Sequence, residues 1–201
     1  MSALLPIDPR ELEGDVLLAL ARGAVAERFG ATDMLIPARP WLTRLAATFV
    51  TITCGERLHG CIGSVEPQRS LLEDLRHNAV LAAFHDPRTR ALRPDELELV
   101  TFCVSILGPR APIDFTDEAD ARRQLRPQVD GVILSHAGHR GLFLPQVWET
   151  LPEPGAFLDN LKRKAGLATT YWHDQIQLER FEVTKFAEQR THTEQSRGWH
   201  H

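Results

Sequence analysis

The sequence predicts an α+β domain with a mostly antiparallel sheet and flanking helices, and three observations predict it. Short alternating apolar runs occur in pairs joined by tight turns, as in hairpins. Two helix starts carry capping boxes ahead of apolar stripes of helical period. There is no regular strand–helix–strand alternation and no internal repeat along the 201 residues, a length that buries a real core without disulfides or metals.

Asp8-Pro9-Arg10-Glu11 supplies an N-cap carboxylate, a proline at the first helical position and a glutamate that completes a capping box. A helix is expected from there, with Leu12, Val16, Leu20 and Ala24 on one stripe and a stop at Gly30. Residues 31–42, with Pro37 and Pro40, read as a loop. Ala46 to Cys54 alternates, placing Val50, Ile52 and Cys54 on one face and Phe49, Thr51 and Thr53 on the other. That strand pairs with Arg57 to Ile62 across Gly55-Glu56, and a two-residue turn sets Cys54 against Arg57 and Val50 against Cys61.

Ser70-x-x-Glu73 opens a second helix whose Leu72, Leu75, Ala79 and Ala82 or Ala83 face inward, ended by Asp86-Pro87. Leu97 to Leu107 is a strand with Val100, Phe102, Val104 and Ile106 on one face and Cys103 on the other. A short helix is expected about Arg122. A second hairpin runs Val129 to Ser135 and Arg140 to Leu144 through His136-Ala137-Gly138-His139. Gln146 to Thr150 suits a turn of helix, and Pro154 to Ala165 a full helix stopped by Gly166. From Ile176 to Phe186 the apolar phase changes, which predicts a bulge. Residues 8–187 form the domain, and 188–201 are a polar, frayed tail.

The formal charge of −4 offers no general attraction to nucleic acid or to an anionic membrane. No apolar run approaches the roughly eighteen residues of a membrane span, and no basic-then-apolar leader opens the chain, so a cytoplasmic location is expected. The three cysteines, Cys54, Cys61 and Cys103, make neither an even set nor a C-x-x-C pair and are expected reduced.

The chemistry concentrates in Leu58-His59-Gly60-Cys61-Ile62-Gly63. Residues two apart in a strand share a face, so His59 and Cys61 are expected side by side, about 6.7 Å apart at their Cα atoms. A neighbouring imidazolium would raise the thiolate fraction and make Cys61 a nucleophile. The plainer reading is a small buried hydrophobe. Gly60 and Gly63 mark either a close approach by a ligand's backbone or a helix packed tightly on the sheet.

Asp86 and Arg88 in His85-Asp86-Pro87-Arg88 could orient a base or grip a carboxylate, or form a local ion pair and turn cap. Gln146 could line the same cleft as Cys61, although Phe143 to Trp148 reads first as core. Lys162-Arg163-Lys164 most simply complements a helix dipole. No metal site is expected: none of the nine histidines makes an H-E-x-x-H, and His59-x-Cys61 lacks a second well-spaced pair, although a His59, Cys61, His85 site is conceivable.

The hexapeptide at 58–63, Ala82-Ala83-Phe84 with Asp86-Pro87-Arg88, Phe143 to Trp148, and Phe157-Leu158 with Lys164-Ala165-Gly166-Leu167 together resemble the AMMECR-domain family, the AmmeMemoRadiSam system protein A of prokaryotes. The similarity runs from about Leu12 to Phe186. It implies a larger and a smaller lobe around a cleft beside the L-R-G-C-I-G motif, here Leu58, Gly60, Cys61, Ile62 and Gly63, with Asp86 and Arg88 as supporting matches. It also implies two partners, a Memo-like protein and a radical S-adenosylmethionine enzyme, while the family's own activity is unsettled and no cofactor is implied.

Two positions depart from the family pattern. His59 replaces the motif's arginine, exchanging a permanent charge for a titratable one, and Thr89 replaces the phenylalanine that usually follows Asp-Pro-Arg. Two functional readings follow. In one the cleft binds a partner protein, peptide or small anionic ligand; in the other Cys61 is the nucleophile or redox group of a thiol-dependent modifying enzyme, with His59 as its base.

Overall fold

The structure, a computed structural model, describes residues 7–32 and 34–189. The architecture is α+β with antiparallel sheets and flanking helices. Among the described residues the α-helices are α1 (Gly14–Arg28), α2 (Leu71–Phe84), α3 (Glu118–Gln124) and α4 (Pro154–Lys164). The strands are β1 (Leu45–Ala46), β2 (Thr48–Cys54), β3 (Arg57–Gly63), β4 (Arg69–Ser70), β5 (Thr101–Leu107), β6 (Ala111–Pro112), β7 (Gly131–His136), β8 (His139–Phe143), β9 (Gln177–Phe181) and β10 (Val183–Ala187). Two compact units divide the chain: one up to Ile106 and again from Lys185, the other Leu107–Thr184. No helix among the described residues is long and apolar enough to cross a membrane.

The first unit holds the sheet β10-β5-β2-β3 and the small pair β1-β4. Val50, Ile52, Phe102 and Val104 from the sheet and Leu75, Ala79, Ala82 and Ala83 from α2 are buried in one apolar cluster with Leu17, Ala21 and Val25 of α1. The Ser70–Glu73 capping box opens α2 as expected. A buried polar knot fixes that helix on β2: Asp74 accepts from the Thr48 N–H at 2.9 Å, the Thr48 hydroxyl at 2.8 Å and the Ser64 hydroxyl at 2.7 Å. The apolar stripe of α2 gave no sign of this polar pair on its buried side, Asp74 and Asn78.

Three boundaries differ from the sequence expectation. Asp8 caps a 3-10 turn at Pro9–Glu11, and extended Leu12 interrupts it, so α1 starts afresh at Gly14 and still ends before Gly30, whose φ is +90°. Residues 97–99 belong to a 3-10 turn, Pro94–Leu99, rather than to β5. The phase change after Ile176 is a full change of sheet: β9 pairs with β7 and β6, whereas β10 lies beside β5. Glu188, expected in a frayed tail, is held by Arg22 Nη2 at 2.6 Å and by the Phe102 N–H at 2.8 Å; the rest of that tail, 190–201, lies outside the described residues.

The second unit holds the sheet β6-β9-β7-β8 with α3 and α4. Trp148 is fully buried, stacked on Phe157 with ring centroids 3.7 Å apart, and donates its indole N–H to Asp130 O at 2.7 Å. Lys162, expected to serve the helix dipole, is instead fully buried, with Nζ 2.7 Å from Glu118 and 3.1 Å from Asp159. Position along α4 decides this: Leu158, Leu161 and Lys162 all fall on its buried side, while Arg163 and Lys164 stay exposed.

Candidate functional site

The β2–β3 hairpin carries the Leu58–Gly63 segment. Gly55 takes a φ of +65° in the turn, and the ladder starts as expected with Cys54 opposite Arg57 and Thr53 opposite Leu58. It then slips by one residue, so that Ile52 faces Gly60, Thr51 faces Cys61 and Val50 faces Ile62. His59 is the extra residue of a β-bulge.

That bulge decides the chemistry of the segment. His59 is buried on the α2 side, with Nε2 3.4 Å from Ala83 O. Cys61 falls on the other face beside Thr51, whose hydroxyl donates to Sγ at 3.1 Å. The expected imidazole–thiol pair is therefore not formed, because alternation holds only along an unbroken ladder. The hydroxyl of Thr51, a residue the sequence reading passed over, is what the sulfur meets instead. A glycine at the next position was the available sign of such a bulge.

Both glycines are closely packed within the protein. A Cβ on Gly60 would lie 2.0 Å from Ala82 O, and one on Gly63 would lie 2.2 Å from the Phe49 ring. At Gly60 the tight packing of a helix on the sheet is the reading realised. Gly63 is covered from across the ladder by an aromatic ring.

Asp86 and Arg88 come to the same strand from the end of α2. Among the described residues strand β3 pairs only with β2 in its sheet, so its outer edge presents main-chain groups. At Cys61 those groups are engaged: Asp86 Oδ2 accepts the Cys61 N–H at 2.8 Å, and Arg88 Nη2 donates to Cys61 O at 3.0 Å. The same two side chains are paired with each other, Arg88 Nε 2.9 Å from Asp86 Oδ1 and Nη2 2.6 Å from Oδ2. The hydrogen bonds from Arg88 hold the buried Asp86 carboxyl far below the usual carboxylate range against the opposing effect of burial, with the Cys61 N–H assisting. Asp86-Pro87-Arg88 thus forms the local ion pair and also takes the place of a neighbouring strand at Cys61.

Arg88 nonetheless remains 58% exposed, and its hydrogen bonds to Asp86 and Cys61 O run through Nε and Nη2. Gln146 is exposed on the 3-10 turn Pro145–Glu149 of the second unit, outside the hairpin that carries Cys61. His85 is the exposed C-cap of α2. Among the described residues no group of three or more His, Cys, Asp or Glu is arranged to hold a metal ion.

The row across the sheet is Cys61, Thr51 and Cys103, because Thr51 faces Cys61 on one side and Cys103 on the other. All three cysteines are free thiols. Burial pushes the Cys103 thiol up, partly offset by Lys185 and by a hydrogen bond with Ser105. With a disulfide reagent at pH 8, Cys103 is expected to react slowest of the three, since the thiolate is the attacking form. Peptide mapping of the labelled chain checks the order, and labelling of Cys103 ahead of Cys61 would contradict it.

The AMMECR1 family model matches residues 18–186. A protein of Thermofilum pendens is 34% identical over 195 residues, covering 88% of this chain and 90% of that protein. One of Methanothermobacter thermautotrophicus is also 34% identical, over 183 residues, covering 88% and 94%. The crystal structure of an uncharacterized protein from Pyrococcus horikoshii superposes with a TM-score of 0.77 at 27% identity, covering 89% of this chain and 94% of that one.

Proposed function

Since the chain belongs to the AMMECR1 family, we propose that it is a binding module in which the Cys61 edge and Arg88 receive an acidic segment of a partner protein. The observation that carries this reading is the state of Arg88. Its guanidinium is locked by Asp86 and by Cys61 O, yet more than half of the side chain is exposed. A guanidinium already held in place through Nε and Nη2 loses little freedom when its remaining nitrogen, Nη1, takes up a carboxylate oxygen. The partners to try first are the Memo-like protein and the radical S-adenosylmethionine enzyme that the family resemblance implies.

The test is calorimetric titration of each purified partner into the chain. Arg88→Ala is expected to weaken binding by about tenfold or more, and Cys61→Ser to leave it unchanged. Arg88→Ala also removes a cap on β3, so Arg88→Lys, which keeps the charge and loses the fork, serves as the second variant. Binding of neither partner, or equal binding by all three variants, overturns the proposal. Loss of binding in Cys61→Ser alone would favour the thiol-dependent alternative, in which Thr51 supports the sulfur and His59 has no part as its base.

A further inference from the structure

Hydrogen-bond alternation along β3 fixes which main-chain groups face its outer edge. Ser64 N–H donates to Thr48 O at 2.9 Å, so beyond the bulge Ile62 and Ser64 turn their main chain toward β2 while Cys61 and Gly63 turn theirs away. Cys61 shows this directly, with its N–H on Asp86 and its C=O on Arg88. Gly63 N–H and C=O point the same way and meet no hydrogen-bond partner among the described residues. The Phe49 ring covers the place where a Gly63 side chain would stand, and the residue stays partly exposed. All of these residues belong to the first unit.

Unpaired main-chain groups on an edge strand are a template for another strand. At Cys61 that template is already taken by Asp86 and Arg88, so a strand added at Gly63 must stop against this pair. On the far side of the pair the main chain of Leu58 also points outward, but the bulge at His59 breaks the ladder before it is reached. The regular, open part of the edge is therefore Gly63, with the Arg88 cation at one end of it.

We propose that the partner's acidic segment binds as a short added strand, exchanging main-chain hydrogen bonds with Gly63 and laying a carboxylate on Arg88 where it meets the Asp86–Arg88 pair. The inference rests on the reading of Arg88 given above and adds the conformation of the segment, which is extended and not helical. A helix satisfies its own N–H and C=O groups and would leave those of Gly63 unmet. The two-residue step from Gly63 to Cys61 is about 6.7 Å, a span that a glutamate side chain and one hydrogen bond cover.

The test is amide hydrogen exchange of the full chain, read residue by residue by NMR, free and saturated with whichever of the Memo-like protein and the radical S-adenosylmethionine enzyme binds in the titration above. Gly63 N–H is expected to exchange about tenfold or more slowly in the complex, and Leu58 N–H, on the same edge beyond the bulge, at an unchanged rate. Two variants isolate the main-chain contact: Gly63→Pro removes the outward N–H, whereas Gly63→Ala brings the same Cβ against Phe49 and keeps it. Gly63→Pro is expected to bind about tenfold more weakly than Gly63→Ala, the loss of one hydrogen bond whose acceptor is left unmet. Binding without protection at Gly63, protection at Leu58 in its place, or equal binding by the two Gly63 variants overturns the added strand and leaves the Arg88 reading standing. Binding by neither protein overturns both. The exchange rates need no variant, so they decide the matter should Gly63→Pro fail to fold.

Discussion

Gly60→Ala is expected to destabilise the chain by on the order of 3 kcal/mol, at the upper end for overpacking a closed site. The added Cβ would stand 2.0 Å from Ala82 O and 3.0 Å from Ala82 C, which are backbone atoms of α2. Those atoms cannot rotate aside. Helix α2 is also tied to β2 through Asp74, Thr48 and Asn78, so backing it off the sheet would strain that buried knot. Gly63→Ala meets only the Phe49 side chain, which is half-buried and can swing, and its cost should be about 1 kcal/mol. Urea denaturation of the two variants checks the ranking. A Gly60→Ala midpoint equal to that of the parent chain would show that α2 does not press on β3 as described. The same geometry makes bulky residues at Gly60 a poor probe of partner binding, because they would unseat the helix first.

Lys162→Ala should cost about 3 kcal/mol, the lower end of the range for stripping one partner from a buried ion pair. Lys162 Nζ is fully buried between Glu118 and Asp159, and Arg122 reaches the same two carboxylates at 2.6 Å and 2.9 Å. Both acids keep some water, which places the loss toward the low end. Lys162→Met retains most of the stem's packing and should lose less than the alanine variant.

The pH dependence carries the same signature. Burial works to raise the Glu118 pKa, but hydrogen bonds from Lys162 and Arg122 outweigh it and hold the carboxyl below its ordinary range. A depressed folded value gives stability that is present above the unfolded pKa of about 4.3 and is lost as pH falls through the folded value. Removing Lys162 shrinks that depression, so acid unfolding should begin at a higher pH in Lys162→Ala than in the parent. Urea midpoints at pH 7 and pH 4 test this. Equal midpoints for parent, alanine and methionine variants at both pH values would rule out a stabilising role for Lys162.

Local signals carried most of the element order. The Ser70–Glu73 box, the glycine stops at Gly30 and Gly166, and the alternation of Val50 with Ile52 and of Phe102 with Val104 all mark the elements found. Each depends on neighbours within one turn or one strand, so the chain states it locally. The Asp8 box failed for a related reason: a cap promises only its own first turn, and extended Leu12 ended that turn before α1 began.

The placement of Cys61 in a segment of glycine, thiol and imidazole was likewise legible from the sequence alone, as was the pairing of Asp86 with Arg88. What surrounds the sulfur was decided by tertiary structure. A single extra residue at His59 turns the imidazole toward α2 and the thiol toward Thr51. That extra residue depends on how closely a helix far along the chain, through Ala82, presses on Gly60. Period-two patterning cannot register a contact between residues so distant in sequence, and for the same reason it could not foresee Lys162 buried against Glu118 or Asp86 standing in for a strand at Cys61.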